Sequence, residues 1–250
     1  MTRFQMSGVL MTMLICLSVS DLARAADTAS VQFARIDTGG KNDSYLEALK
    51  PLLARMKELV ELPASVRIFR AEFAGDESGL IYIFREWSDS KRMAQQRSRE
   101  VADDVYSQHI ADLVATGRKL LSNSLLRDRT PLTPKTRVTN SSQSDSKPRV
   151  MEWFTVDTKG KTAEYLKAIE PVIRRSYEVA PGAEIRIYQA EFAGESVGTL
   201  YVAREYKDME TMARQQARLQ LDTQYQEGVK SLAAMGRVLV SRSLLVEQKP

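Results

Sequence analysis

The groups in this chain best suited to chemistry come in matched pairs. Tyr82, Arg85 and Glu86 recur as Tyr201, Arg204 and Glu205, and Tyr45 recurs as Tyr165. An arginine facing a cavity can hold a carboxylate or another anion, and a glutamate or tyrosine beside it could move a proton. Adjacent strand residues face opposite ways, so Arg85 and Glu86, like Arg204 and Glu205, must serve opposite faces of one sheet. The same charges would serve equally as ion pairs at strand ends that fix how two halves dock. Ligand contact and docking both stand open on the sequence alone.

Tyr45 and Tyr165 begin a helix in each half, where a tyrosine could hydrogen-bond a ligand or simply cover it. His109 is the single histidine. Its counterpart is Gly228, and it reads as a polar helix residue rather than a ligand or base. The one cysteine, Cys16, rules out an intrachain disulfide and any cysteine-built metal site. No spacing of metal ligands stands out, so neither a metal nor a cofactor is expected. Gly75, Gly79, Gly194 and Gly198 precede a strand instead of a helix, which argues for turns and against a phosphate loop. Arg67, Arg186, Glu72 and Glu191 suit cross-strand pairing. Gln96, Gln215, Arg99 and Arg218 suit a solvated or intersubunit helix face.

The elements that position these groups are themselves duplicated. RIFRAEFAGDESGLIYIFREW (67–87) returns as RIYQAEFAGESVGTLYVAREY (186–206), identical at 11 of 21 positions without a gap. Each reads as a hairpin: a strand, a polar turn closed by glycine, and a second strand. Before it come a strand and a helix with Pro51 or Pro171 inside, capped by Asn42 or Thr162. After it, Asp89 or Asp208 caps a long charged helix that ends at Gly117 or Gly236 and leads into a last strand. The order in each copy is β-α-β-β-α-β, over residues 30–128 and 149–247. Residues 129–148 are rich in Ser, Thr, Pro and Lys and read as a linker.

Residues 1–25 read as a secretory signal, with Arg3 ahead of the apolar run GVLMTMLICLSV and small residues at Ala23 and Ala25. The expectation is a periplasmic or secreted protein with no stable membrane span after cleavage, because that run is shorter than the ~20 residues a span needs. Lys and Arg number 36 against 32 Asp and Glu. The signs are mixed and no basic stripe is visible, so nucleic acid is not an expected partner.

In the strand 81–87, Ile81, Ile83, Arg85 and Trp87 share one face, while Tyr82, Phe84 and Glu86 share the other. Both faces are largely apolar, so both must be covered. The economical solution is an α+β fold: two tandem ferredoxin-like units, helices on one side of each sheet, pairing sheet to sheet as an intramolecular α+β barrel. This pattern resembles the dimeric α+β barrel superfamily, which includes antibiotic-biosynthesis-type monooxygenases and NIPSNAP-like proteins. The resemblance implies a functional cavity between sheet and helices of each unit, and a role for histidine that this chain does not match. The expected function is binding of a small organic molecule or a protein partner, a homo-oligomer included. The alternatives are a monooxygenase-like or isomerase-like enzyme acting on a small aromatic or hydrophobic substrate, and a structural interaction module. If only one half keeps a cavity, the smaller residues of the second copy, Ala203 against Phe84 and Thr199 against Leu80, point to that copy.

Overall fold

A computed structural model describes residues 29–131, 147–192 and 197–249. The expected signal, most of the expected linker and residues 193–196, where the second hairpin's turn is expected, lie outside them. The first half runs β1 (Ser30–Asp37), α1 (Asn42–Glu58), β2 (Ser65–Phe73), β3 (Ile81–Trp87), α2 (Ser90–Val101), α3 (Asp104–Ala115) and β4 (Lys119–Asp128). The second runs β5 (Val150–Asp157), α4 (Thr162–Val179), β6 (Glu184–Phe192), β7 (Leu200–Tyr206), α5 (Met209–Leu221), α6 (Thr223–Ala234) and β8 (Val238–Gln248).

All eight strands close into one barrel in the order β1-β3-β2-β8-β5-β7-β6-β4. Every neighbouring pair is antiparallel. The halves therefore join edge to edge, β2 on β8 and β4 on β6, instead of stacking as two separate sheets. Closure gives the backbone N–H and C=O groups along β2 and β4 partners across the junctions and leaves no whole edge open. The helix-free faces curl inward, and their interior is packed with rings. Trp153 stacks on Tyr201 at 5.0 Å and Phe33 on Phe84 at 5.0 Å, while Tyr82 meets Phe33 edge-on at 5.5 Å.

Two helix readings need correction. The long charged helix of each copy is two helices. Its apolar spacing continues across the break, but Asp103 and Asp222 each cap a fresh start, accepting from the backbone N–H of Tyr106 (2.7 Å) and Tyr225 (2.8 Å). Asn42 and Thr162 are not caps: their side chains meet Thr38 and Thr158 in the preceding turn. Asp89 and Asp208 do cap, through Arg92 N–H and Thr211 N–H. Pro51 and Pro171 lie inside single continuous helices.

Asp103 and Asp222 are also gripped by arginines from the first helix of their own half. Arg55 reaches Asp103 at 3.1 and 2.5 Å, and Arg175 reaches Asp222 at 3.1 and 2.6 Å. The Arg55 guanidinium, then the Tyr106 N–H, hold the Asp103 carboxyl down to about 2, and Arg175 likewise lowers Asp222. Because both folded-state values are depressed, this stabilisation is complete above an ordinary aspartate pKa of about 4 and is lost on acidification below it. Thermal unfolding followed from pH 7 to 2.5 should show a steep fall in Tm below pH 4. The Asp103→Asn/Asp222→Asn double variant should start lower and fall less steeply.

Candidate functional site

The helix-side face of the first half encloses a cavity of about 430 Å³ between the sheet and helices α1 and α3. Its wall is mostly aliphatic, with Leu49, Leu52, Val66, Ile83 and Ile110 among the lining residues. Those residues are there because strand alternation sends Ile83 and Arg85 to the helix side and the helical period brings Leu49 and Leu52 down onto them.

Polar groups enter this wall at two places. At one, Arg85 donates to Glu100 at 2.5 Å and lies over the Trp87 ring at 4.8 Å. Glu100 is wholly buried and also accepts from Gln96 at 2.9 Å and Arg97 at 3.0 Å. At the other, Arg118 follows the glycine that ends α3. Its Nε is buried without a hydrogen-bond partner, and among the described residues it forms no ion pair. Beside it burial pushes the Tyr45 hydroxyl up to about 12, with Arg118 opposing only in part. Tyr45 thus stays protonated at neutral pH and can donate. The second half has a smaller cavity, about 230 Å³, bounded by Tyr165, Arg204, Tyr225 and Arg237 among others.

Both halves keep a cavity, and the first is the larger. The condition attached to Ala203 and Thr199, that only one half keeps a cavity, is not met, and Phe84 and Ala203 lie in the barrel interior and not on the helix side. Gly228 on α6 has no side chain to hold it off Val172 on α4: a Cβ there would lie 2.8 Å from Val172 Cγ2. The matching place in the first half is His109. His109 is 25% exposed and 3.9 Å from Asp112, and it lines neither cavity.

The paired candidates divide between two places. Tyr45 and Arg85 line the first cavity, and Tyr165 and Arg204 the second. Tyr82 and Tyr201 lie in the barrel interior. Glu86 and Glu205 also point inward, near the barrel end where β1 begins. There each reaches an arginine of the other half: Glu86 accepts from Arg186 at 2.9 Å, and Glu205 from Arg67 and, at 3.1 Å, Arg149. Arg67 and Arg186 thus span the barrel, and Arg186 also pairs with Glu184 on its own strand at 2.6 Å. Glu72 and Glu191 take Arg70 and Arg127. At the opposite end Tyr82 donates to Glu77, which also pairs with Arg35.

Gln96 and Gln215 are buried, contrary to the solvated face read for them. Gln96 accepts from Trp87 Nε1 and Ala64 N–H, both at 2.9 Å, and Gln215 donates to the Pro181 carbonyl at 2.8 Å. Sequence reasoning passed over Glu100 and Arg118 as site residues. Glu100 carries no repeat signal, since Leu219 is its counterpart. Arg118 did carry one, because Gly117-Arg118 recurs as Gly236-Arg237.

No family model matches the chain, and no curated protein matches its sequence. Solved structures do resemble it. A candidate monooxygenase from Fusobacterium nucleatum superposes with a TM-score of 0.59 at 12% identity, over 90% of this chain and 94% of its own. An anthrone oxidase-like protein gives 0.53 at 13%, over 89% and 92%, and a candidate chlorite dismutase gives 0.51 at 12%, over 89% and 95%. At these identities the likeness is one of fold: a mixed α+β protein with a closed eight-stranded barrel. Neither cavity is lined by a histidine or a cysteine to ligate iron. Among the described residues there is also no cluster of three potential metal ligands, and no helix is long and apolar enough to cross a membrane.

Proposed function

We propose that the protein is an exported binder of a small, largely apolar organic molecule that carries one acidic or strongly hydrogen-bond-accepting group, held in the first-half cavity. The observation that carries this reading is Arg118: a guanidinium Nε buried at the wall of an apolar cavity, with no partner of its own. A buried donor left unpaired costs about 1–3 kcal/mol, and a ligand acceptor would recover that. Tyr45 would supply a second donor, and Leu49, Leu52 and Ile110 the apolar contact. The duplicated sequence supports a tandem origin for the two halves, and the cross-barrel pairs of Glu86 and Glu205 are then the docking elements between them.

The test uses two probes of similar shape, 1-anilinonaphthalene-8-sulfonate, which is anionic, and N-phenyl-1-naphthylamine, which is neutral. Losing a hydrogen bond to a charged group, about 1.5–3 kcal/mol, weakens binding by roughly tenfold or more. Arg118→Leu should therefore weaken the sulfonate by at least that factor and leave the neutral probe within about twofold. Ile110→Trp, which fills the cavity, should weaken both. Sulfonate binding that ignores both substitutions would overturn the reading. A monooxygenase-like or isomerase-like step on the same ligand is the second reading, supported by the neighbours at the level of fold alone. Turnover that disappears with Ile110→Trp would favour it over binding alone.

A further inference from the structure

The two halves treat the same buried arginine differently. In the first half Arg85 has the carboxylate of Glu100. In the second half the helix position matching Glu100 is Leu219, which is buried and apolar. Arg204 is left with neutral partners: Tyr225 Oη at 3.0 Å, Ser176 Oγ at 3.3 Å, and the face of the Tyr225 ring at 5.7 Å. Among the described residues no carboxylate pairs with it. Glu152 stands directly opposite Arg204 in the β5–β7 register and acts on it electrostatically, but its hydrogen bonds go to Tyr206 Oη (2.6 Å) and Arg242 (2.5 Å).

A second cation faces the same space. Arg237 lies over the Tyr165 ring at 5.9 Å, with its Nε buried and without a hydrogen-bond partner. Arg204 and Arg237 both line the 230 Å³ cavity, and none of its lining residues is an acid. A guanidinium taken out of water costs several kcal/mol unless a counter-charge meets it, and neutral hydroxyls offset that only in part. The remaining wall is apolar, with Phe154, Ile173, Val202 and Leu232 among its members.

We infer that the second-half cavity is a separate site for a small organic monocarboxylate, whose carboxylate meets Arg204 and Arg237 and whose aromatic or branched aliphatic body fills the rest. Planar guanidinium groups suit a carboxylate, and the apolar wall selects against a fully hydrated inorganic anion. A volume of about 230 Å³ suits a single ring. This inference uses residues of the second half alone, so it stands whether or not the first-half reading does.

Benzoate is the probe, titrated calorimetrically into the full chain, with chloride and sulfate as controls. A site that depends on Arg237 and not on Arg118 is expected. Arg237→Leu should weaken benzoate at least tenfold, and Arg118→Leu should leave it within twofold. Leu219→Glu places a carboxylate where the first half has Glu100 and should close the site; if that variant fails to fold, Arg237→Leu decides alone. No benzoate binding, binding that falls equally with Arg118→Leu, or equal affinity for sulfate would each overturn the inference. Failure of the first-half reading has a different signature, namely sulfonate-probe binding that ignores both Arg118→Leu and Ile110→Trp.

Discussion

Replacing Glu205 by leucine is expected to lower the unfolding free energy by about 3–5 kcal/mol, a large share of a typical domain's stability. Glu205 sits on β7 and is 6% exposed, and it joins Arg149 of its own half to Arg67 of β2 in the other. Burial by itself would raise its carboxyl, but the two arginines outweigh that and hold it below the ordinary glutamate range. Its contribution is therefore complete above an ordinary glutamate pKa of about 4.3 and is lost as pH falls through the depressed folded value. Leucine removes the anion and strands two inward-facing cations, and a lone buried charge is far costlier than a missing pair. Urea unfolding at pH 7 measures the loss. The decisive comparison is Glu205→Leu with Arg67→Met, which removes the pair across the barrel and should recover more than half of it. Recovery would show that the cost lies in the orphaned arginine. A single variant within about 1 kcal/mol of the parent would mean that water already reaches this end of the barrel.

How much of this was legible in the sequence depends on the range of the interaction. Strand alternation alone separated Tyr82, Phe84 and Glu86 from Ile81, Ile83 and Arg85, and the structure keeps that division between barrel interior and helix side. The glycine-closed hairpins were equally plain, since 11 of 21 positions repeat. Pairing across the barrel was not. Arg67 and Glu205 are 138 residues apart, and no local pattern says which charge a given arginine will meet. Gln96 looked solvated because its helix is charged, yet Trp87 and Ala64 come to it from elsewhere in the fold. The helix break at Asp103 was hidden because apolar spacing continues through it. The difference between Phe84 and Ala203 was visible, but it acts inside the barrel and says nothing of the helix-side cavities.

The second large effect is expected at Glu100, where Glu100→Leu should also cost about 3–5 kcal/mol. Its carboxylate lies beneath α2 with no exposure, and three donors converge on it from Arg85, Gln96 and Arg97. Arg97 is 43% exposed and can turn to water, whereas Arg85 is 10% exposed and cannot. The loss therefore falls on Arg85 and on the Gln96 amide, whose oxygen is already committed to Trp87 and Ala64. The second half shows that this fold tolerates leucine at the matching position, but there Ser176 and Tyr225 have taken the arginine. The first half has Met56 where the second has Ser176, so its Arg85 lacks one of those acceptors. Glu100→Leu combined with Arg85→Met should accordingly regain most of the lost stability, because an apolar pair can replace a buried ion pair at little cost. Denaturant unfolding of the two single variants and the double gives the coupling directly. Near-additive losses would mean that Glu100 acts through Gln96 and the packing of α2, and not through Arg85.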